Sequence, residues 1–97
     1  MKSTRVVTIA SPIGLHARVA ARFVQRVAGW HLPVTLSRPG EKPVNASSMI
    51  AVMGLNVRHG EQMVLEAQGS GAEEILNDLA AELENEHSLE EANKAVS

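Results

Sequence analysis

One histidine lies in a segment whose residue types could carry a phosphoryl group, and the segment reads Gly14-Leu15-His16-Ala17-Arg18-Val19-Ala20. The first turn of a helix has amide N–H groups without intrahelical partners and a partial positive charge, so anions bind there readily. If a helix begins at His16, a phosphoryl group on its imidazole would lie near the N–H groups of Ala17 and Arg18. The Arg18 guanidinium would be a further donor. The segment is therefore a candidate anion or phosphate site.

The positive field of a helix start also acts on the charge of the imidazole ring. It disfavours the imidazolium form, so we expect His16 to be neutral, and hence nucleophilic, at neutral pH. Gly14 would allow another part of the backbone to approach closely just before the histidine. A single histidine at a helix start is more often a capping or packing residue. The residues by themselves therefore predict a candidate site and not yet a function.

The helix that must present His16 follows from the spacing of the apolar residues after it. They recur at i, i+3, i+4 and i+7 and predict an amphipathic helix ending at Gly29, and they are Ala20, Phe23, Val24 and Val27. Arg18, Arg22 and Arg26 recur every four residues on the same helix. This spacing predicts a basic ridge that begins beside the histidine.

Four strands and a short helix are predicted from similar patterns. Strands are expected at 5–10, 31–37, 41–45 and 61–67, and the middle two form a hairpin around Pro39-Gly40. Leu32, Val34 and Leu36 should face inward on one of them, and Met63 and Leu65 on another. The short helix is expected at 47–55. Its core positions would be Met49, Val52 and Met53, which leaves Ile50 exposed.

The last predicted helix has the clearest apolar stripe, formed by Ala72, Ile75, Leu76, Leu79, Ala80 and Leu83. The acidic residues of this helix are expected to face water, and they are Glu73, Glu74, Asp78 and Glu82. The order is then β-α-β-β-α-β-α. Four strands are too few to close a barrel, so the sequence predicts an α+β open-faced β-sandwich with a four-stranded antiparallel sheet and all three helices on one face. We expect a single domain over 1–97, in which 87–97 forms a polar tail or a helical extension.

Composition excludes several classes of function. The chain has 97 residues and no Cys, which excludes disulfides, thiol nucleophiles and thiolate metal sites and fits a reducing cytoplasm. It has no apolar run of about 20 residues, so we expect no membrane insertion. One Phe, one Trp and no Tyr leave little to stack on bases. Residues 1–60 carry a net charge of +7 and residues 61–97 a net charge of −9. The acidic half further disfavours nucleic acid as a partner, and the basic half suits an acidic protein patch.

The chain resembles the HPr family, the histidine-containing phosphocarrier proteins of the bacterial phosphoenolpyruvate-dependent sugar phosphotransferase system. The resemblance covers about 5–86 and has two anchors, the segment at His16 and a second segment that reads Asn45-Ala46-Ser47-Ser48-Met49-Ile50-Ala51-Val52-Met53-Gly54-Leu55. It implies the fold predicted above. It also implies that His16 is phosphorylated on Nδ1 by enzyme I and passes the group to a sugar-specific enzyme IIA. Arg18 matches the family's active-site arginine.

The resemblance implies a partner surface as well. Met49, Ile50 and Val52 match the hydrophobic patch that both partners bind. The family's later basic residues correspond here to Gln25 and Ala28, for which Arg22 and Arg26 would compensate as partner contacts. We expect a cytoplasmic monomer that is a carrier and not an enzyme, with no cofactor and no metal.

Two further positions leave alternatives open. Ser48 matches a serine that HPr kinase/phosphorylase modifies in some bacteria, whereas capping of the short helix by Ser47 or Ser48 is the simpler interpretation. Val19 replaces the family's usual proline in the first helical turn, which restores an N–H and loosens the backbone. The valine at position 19 and the missing basic residues at Gln25 and Ala28 favour, as the alternative function, an HPr-like regulatory module in a signalling or nitrogen-related phosphorelay. We interpret His31, His59 and His87 as solvated or packing residues.

Overall fold

The computed structural model of the chain describes residues 2–84, in which four strands and three helices follow one another in the predicted order. They are β1 (Lys2–Thr8), α1 (Ala17–Ala28), β2 (Val34–Ser37), β3 (Val44–Asn45), α2 (Met49–Gly54), β4 (Gln62–Gln68) and α3 (Ala72–Glu84). The predictions for 87–97 and for His87 lie outside the described residues.

The four strands form one antiparallel sheet in the order β1-β4-β2-β3. The central strand β4 pairs with β1 on one side and with β2 on the other, so that Val64 lies opposite Val6 and Leu65 opposite Leu36. The predicted hairpin of β2 and β3 is confirmed, but β3 has only two residues. Pro43 precedes it, and a proline has no N–H to donate to a neighbouring strand.

The helices cover one face of the sheet and leave the other to solvent. On β4, Met63, Leu65 and Ala67 are buried, whereas Val64 and Glu66 between them are partly exposed. Val34 and Leu36 of β2 are buried in the same core, with Leu32 packed at its edge. The core also takes in all six residues of the predicted α3 stripe. The α+β open-faced sandwich is therefore confirmed.

Strand β1 differs from its prediction. It runs from Lys2 to Thr8 instead of over 5–10, because its length is set by pairing with β4, in which Gln68 lies opposite Lys2. Ile9 is still buried, just beyond the end of the strand.

Helix α2 confirms one exposure prediction and contradicts another. Ile50 is 88 % exposed, as predicted, but Met53, expected in the core, is 39 % exposed. Val52 is 1 % exposed and takes the core position, with Met49 packed beside it. A helix of six residues has fewer than two turns, so its apolar spacing fits more than one orientation. Burial also excludes Val52 from a contact surface of the folded protein, which corrects its assignment to the hydrophobic patch.

Candidate functional site

His16 lies at the start of α1, where the sequence predicts it. It is the N-cap residue, with extended backbone angles of φ −75° and ψ 174°. Its Nδ1 accepts a hydrogen bond from the backbone N–H of Arg18 at 3.3 Å. An imidazole nitrogen that accepts a hydrogen bond carries a lone pair and no proton. The His16 ring, which is partly exposed, therefore directs an unprotonated Nδ1 towards the first turn of the helix.

Gly14 supplies the close backbone approach that the sequence predicts. Its φ is +71°, and a Cβ added there would lie 2.5 Å from the Val57 carbonyl oxygen and 2.9 Å from the Arg58 Cα. The N–H of Leu15 donates to the same Val57 oxygen at 3.0 Å. The segment before His16 is thus seated on the loop between α2 and β4, residues 56–61. We call this loop the backing loop.

A histidine of the backing loop joins the same two segments. His59 Nδ1 lies 3.0 Å from the carbonyl oxygen of Ser11, which also accepts the N–H of Gly14 at 2.9 Å. His59 is exposed, and this contact joins the backing loop to the segment before His16. The Ser11 hydroxyl is buried and has no hydrogen-bond partner within residues 2–84.

The arginines of the predicted basic ridge have different surroundings. Arg18 is exposed, and its guanidinium has no ion pair within the described part of the chain. Arg26 forms a bidentate pair with Asp78 of α3, with Nε–Oδ2 at 2.8 Å and Nη2–Oδ1 at 2.9 Å. Arg22 Nε lies 3.6 Å from Oε1 of Glu82, which also belongs to α3.

Trp30 completes this cluster because its Nε1–H donates to Asp78 Oδ2 at 3.1 Å. We call Arg22, Arg26, Trp30, Asp78 and Glu82 the α1–α3 clasp. The hydrogen bond from Arg26, and to a smaller extent that from Trp30, holds the pKa of Asp78 below its usual value, against the effect of burial. The prediction that Asp78 and Glu82 face water is wrong, because both are partly covered by α1. The complementary charges of the two halves of the sequence were the signal for this contact.

A second ionic cluster, for which the sequence contains no local signal, is centred on Arg38 and Glu61. Arg38 Nε donates to Glu61 Oε1 at 2.8 Å, and its Nη2 donates to the carbonyl oxygen of Leu55 at 2.7 Å. The N–H of Arg58 donates to Glu61 Oε2 at 2.6 Å. The hydrogen bond from the Arg38 guanidinium lowers the pKa of Glu61, and the hydrogen bond from the Arg58 N–H lowers it to a smaller extent. The cluster therefore ties the end of β2 to the C-terminal end of α2 and to the backing loop.

The start of α2 is capped as the simpler interpretation of Ser48 predicts. The Ser48 hydroxyl accepts the N–H of Ala51 at 3.2 Å. Ser47 instead bonds through its own N–H and hydroxyl to Asn45 Oδ1, at 3.0 and 2.8 Å. Helix α2 packs beside α1. Its exposed apolar residues are Ile50 and Met53, and Ile13 of the loop before His16 is 63 % exposed.

Within residues 2–84, no group of three or more His, Cys, Asp or Glu side chains could hold a metal ion. In the same range, no helix combines the length and the apolar character needed to cross a bilayer.

Comparison with known proteins agrees with this geometry. A protein-family model described as "PTS HPr component phosphorylation site" matches residues 3–85. The phosphocarrier protein HPr of Streptomyces coelicolor is 46 % identical over 67 residues, covering 69 % of this chain and 72 % of that protein. The HPr-like protein Crh of Bacillus subtilis is 42 % identical over 73 residues, covering 75 % of this chain and 85 % of Crh. The crystal structure of HPr from Bacillus anthracis superimposes with a TM-score of 0.79 at 35 % identity, covering 84 % of this chain and 96 % of that one.

Proposed function

Because the chain belongs to the HPr family of phosphotransferase-system phosphocarriers, we propose that it accepts a phosphoryl group from phospho-enzyme I on His16 and passes it to a sugar-specific enzyme IIA. Members of this family are carriers and not enzymes. The observation that supports the proposal best is the position of His16 Nδ1, which accepts the Arg18 N–H at the first turn of α1.

The proposed phosphoryl transfer needs few groups besides the His16 imidazole. The lone pair of His16 Nδ1 attacks the phosphorus of the donor, a new N–P bond forms, and the donor's bond to phosphorus breaks with its electron pair staying on the donor. No proton has to leave Nδ1, but the hydrogen bond from the Arg18 N–H must break as the N–P bond forms, which releases that N–H for a phosphoryl oxygen. The phosphoryl oxygens then take up the N–H groups of Ala17 and Arg18, and the Arg18 guanidinium offsets their charge. The partial charge of an exposed helix end contributes only about 0.3–1 kcal/mol to holding the phosphoryl group, which suits a carrier that must release its cargo.

We propose a partner surface that the fold has modified from the sequence prediction. Met49 and Ile50 remain in it, and Met53 replaces the buried Val52. Arg22 and Arg26 remain proposed partner contacts at its edge, with a smaller contribution than Arg18 because the guanidinium of each is engaged by α3. The carrier would act as a cytoplasmic monomer, which fits a chain that has no cysteine.

A regulatory role is the second candidate, and the similarity to Crh favours it. In this role Ser48 would be the target of an HPr kinase/phosphorylase. A phosphate on the Ser48 hydroxyl would lie at the N-terminal end of α2 and add about two negative charges beside Ile50. Docking of an acidic partner would then weaken.

Incubation with phosphoenolpyruvate and the enzyme I of the same organism tests the proposal. We expect one acid-labile, base-stable phosphohistidine per chain, absent in His16→Ala and retained in His31→Ala, which removes an exposed histidine. Phosphorylation that persists in His16→Ala contradicts the proposal. No phosphohistidine in the unaltered protein, with modification of Ser48 by the kinase, favours the regulatory role.

A further inference from the structure

We infer that Arg58 is a specificity-determining contact for the phosphoryl-donor protein and that, with Arg18, it forms the cationic part of the docking surface. The donor would present carboxylates to these two arginines. The inference rests on the proposed function, since it concerns docking at the His16 site. It differs from the sequence prediction, which assigns this part to Arg22 and Arg26.

The backbone places Arg58 at the edge of the site. Its Cα would lie 2.9 Å from a Cβ on Gly14, and the preceding carbonyl, that of Val57, accepts the Leu15 N–H at 3.0 Å. Gly14 is two residues from His16, and consecutive Cα atoms are about 3.8 Å apart. The Cα of Arg58, which carries a long, exposed side chain, therefore lies close to the backbone of His16, the proposed phosphoryl acceptor.

The position of Arg58 is fixed before any partner arrives. Its N–H donates to Glu61 Oε2 at 2.6 Å, and Arg38 holds the other carboxylate oxygen of Glu61 at 2.8 Å. Arg38 is in turn bonded to the end of α2 through the carbonyl of Leu55. A contact residue on a backbone that is already ordered costs less entropy on binding than one on a mobile loop.

The guanidinium of Arg58 keeps its charge available for a partner. Within residues 2–84 it has neither a hydrogen bond nor an ion pair. Its charge acts on Glu61 through space, but the carboxylate of Glu61 takes its side-chain hydrogen bonds from Arg38. Arg22 and Arg26 instead have carboxylates of α3 within 4 Å. A partner that approaches His16 therefore meets two arginines whose guanidinium groups have no hydrogen bond or ion pair within the described residues, Arg18 and Arg58.

Exposed apolar residues beside Gly14 and on α2 favour a protein over a small anion. Ile13 directly precedes Gly14, and Ile50 on α2 is 88 % exposed. Exposed apolar side chains with charged residues around them match the usual anatomy of a protein–protein contact, in which the rim charges set association rate and specificity. A free phosphate or a carboxylate metabolite would gain no binding energy from the apolar side chains of Ile13 and Ile50.

Direct binding measurements in the His16→Ala background test the inference without requiring transfer. We expect Arg58→Gln to raise the Kd for the donor protein about 3- to 10-fold and to make the Kd less dependent on salt concentration. Arg58→Lys should restore the Kd to within about twofold, since it keeps the charge. Lys42→Gln, which removes a surface cation from the turn between β2 and β3, should leave the Kd within about twofold.

An unchanged Kd in Arg58→Gln would overturn the inference, and so would a failure of the donor to bind at all. A changed half-life of isolated phosphohistidine in otherwise unaltered Arg58→Gln would also overturn it, because Arg58 would then act on the phosphoryl group and not on the partner. Failure of the proposed function has a different signature. In that case the donor binds, Arg58→Gln weakens binding, and the unaltered protein acquires no phosphoryl group on His16.

Discussion

The two ends of α1 carry the same residue type on one face and use it differently. At the N-terminal end, Arg18 is exposed beside His16, and its own N–H faces an imidazole nitrogen. One and two turns later, Arg22 and Arg26 are engaged by Glu82 and Asp78 of α3. The difference arises because α3 places carboxylates beside Arg22 and Arg26, whereas α1 itself has an arginine at all three positions. It separates the proposed phosphoryl site at His16 from a contact that holds two helices together.

The largest predicted effect comes from a substitution that disrupts the first of these regions, the N-terminal end of α1 at His16. Gly14→Ala should lower the free energy of unfolding by about 3 kcal/mol, because a side chain at positive φ costs about 1–2 kcal/mol and crowding against the Val57 carbonyl adds a similar amount. Denaturant unfolding measures the loss. Phosphorylation of His16 should slow about 100-fold under conditions in which the variant is folded, because the segment before it is displaced.

Gly40→Ala is the matched control. Gly40 also has a positive φ, of +77°, but an added Cβ meets nothing within 4 Å. Its cost should be the backbone term alone, about 1–2 kcal/mol, with unchanged phosphorylation. Equal losses in the two variants would show that the contact with the backing loop does not matter.

The second prediction compares arginines at the two ends of α1. Arg18→Ala should slow phosphoryl transfer to His16 about 10- to 100-fold, because it removes a charge-assisted donor worth about 1.5–3 kcal/mol. Arg26→Ala should change transfer by no more than about twofold, because its guanidinium binds Asp78. Single-turnover kinetics with the phosphorylated donor measure both. A slower Arg26→Ala reaction at equal stability would mean that the basic ridge acts as one surface.

The sequence alone predicts the end of α1 that contains His16 better than it predicts α2. His16, Arg18 and Gly14 belong to one short segment whose helix-start chemistry is local, and the structure has them as expected. Helix α2 is too short for its spacing to choose between Val52 and Met53. Length and register decide how much an apolar pattern can predict.

The ionic contacts could not be predicted because they join distant parts of the chain. Asp78 is 52 residues from Arg26, and Glu61 is 23 residues from Arg38. Opposite charge in the two halves of the sequence signals that such pairs are available, but only the packing of α3 beside α1 selects them.

The third prediction concerns the α1–α3 clasp. Asp78→Asn should lower the free energy of unfolding by about 1 kcal/mol, because it removes the charge that Arg26 and the Trp30 indole hydrogen bond satisfy. Transfer to His16 should not change. Combining it with Arg26→Gln should add little further loss, since the two residues act as a pair. Additive losses would contradict direct coupling.

The smallest effect is a pH dependence of the same contact. The hydrogen bond from Arg26 keeps the pKa of Asp78 below its usual 3.8 in the folded protein. The folded state thus favours the ionised carboxylate, whose stabilising contribution is present above pH 3.8 and is lost as the pH falls through the lower, folded value. As the pH is lowered from about 5 to about 3, the melting temperature should therefore fall less steeply in Asp78→Asn than in the unaltered protein. Parallel curves would contradict the pairing.

The most direct test of the account is the NMR spectrum of the phosphorylated protein, recorded with ¹⁵N-labelled histidine. We predict that phosphorus couples to His16 Nδ1 and that the largest amide shifts are those of Ala17 and Arg18, while the Arg26 amide and the Trp30 indole do not move. A phosphoryl group on Nε2, on another histidine, or accompanied by equal shifts at the α1–α3 clasp would contradict a carrier site confined to the first turn of α1.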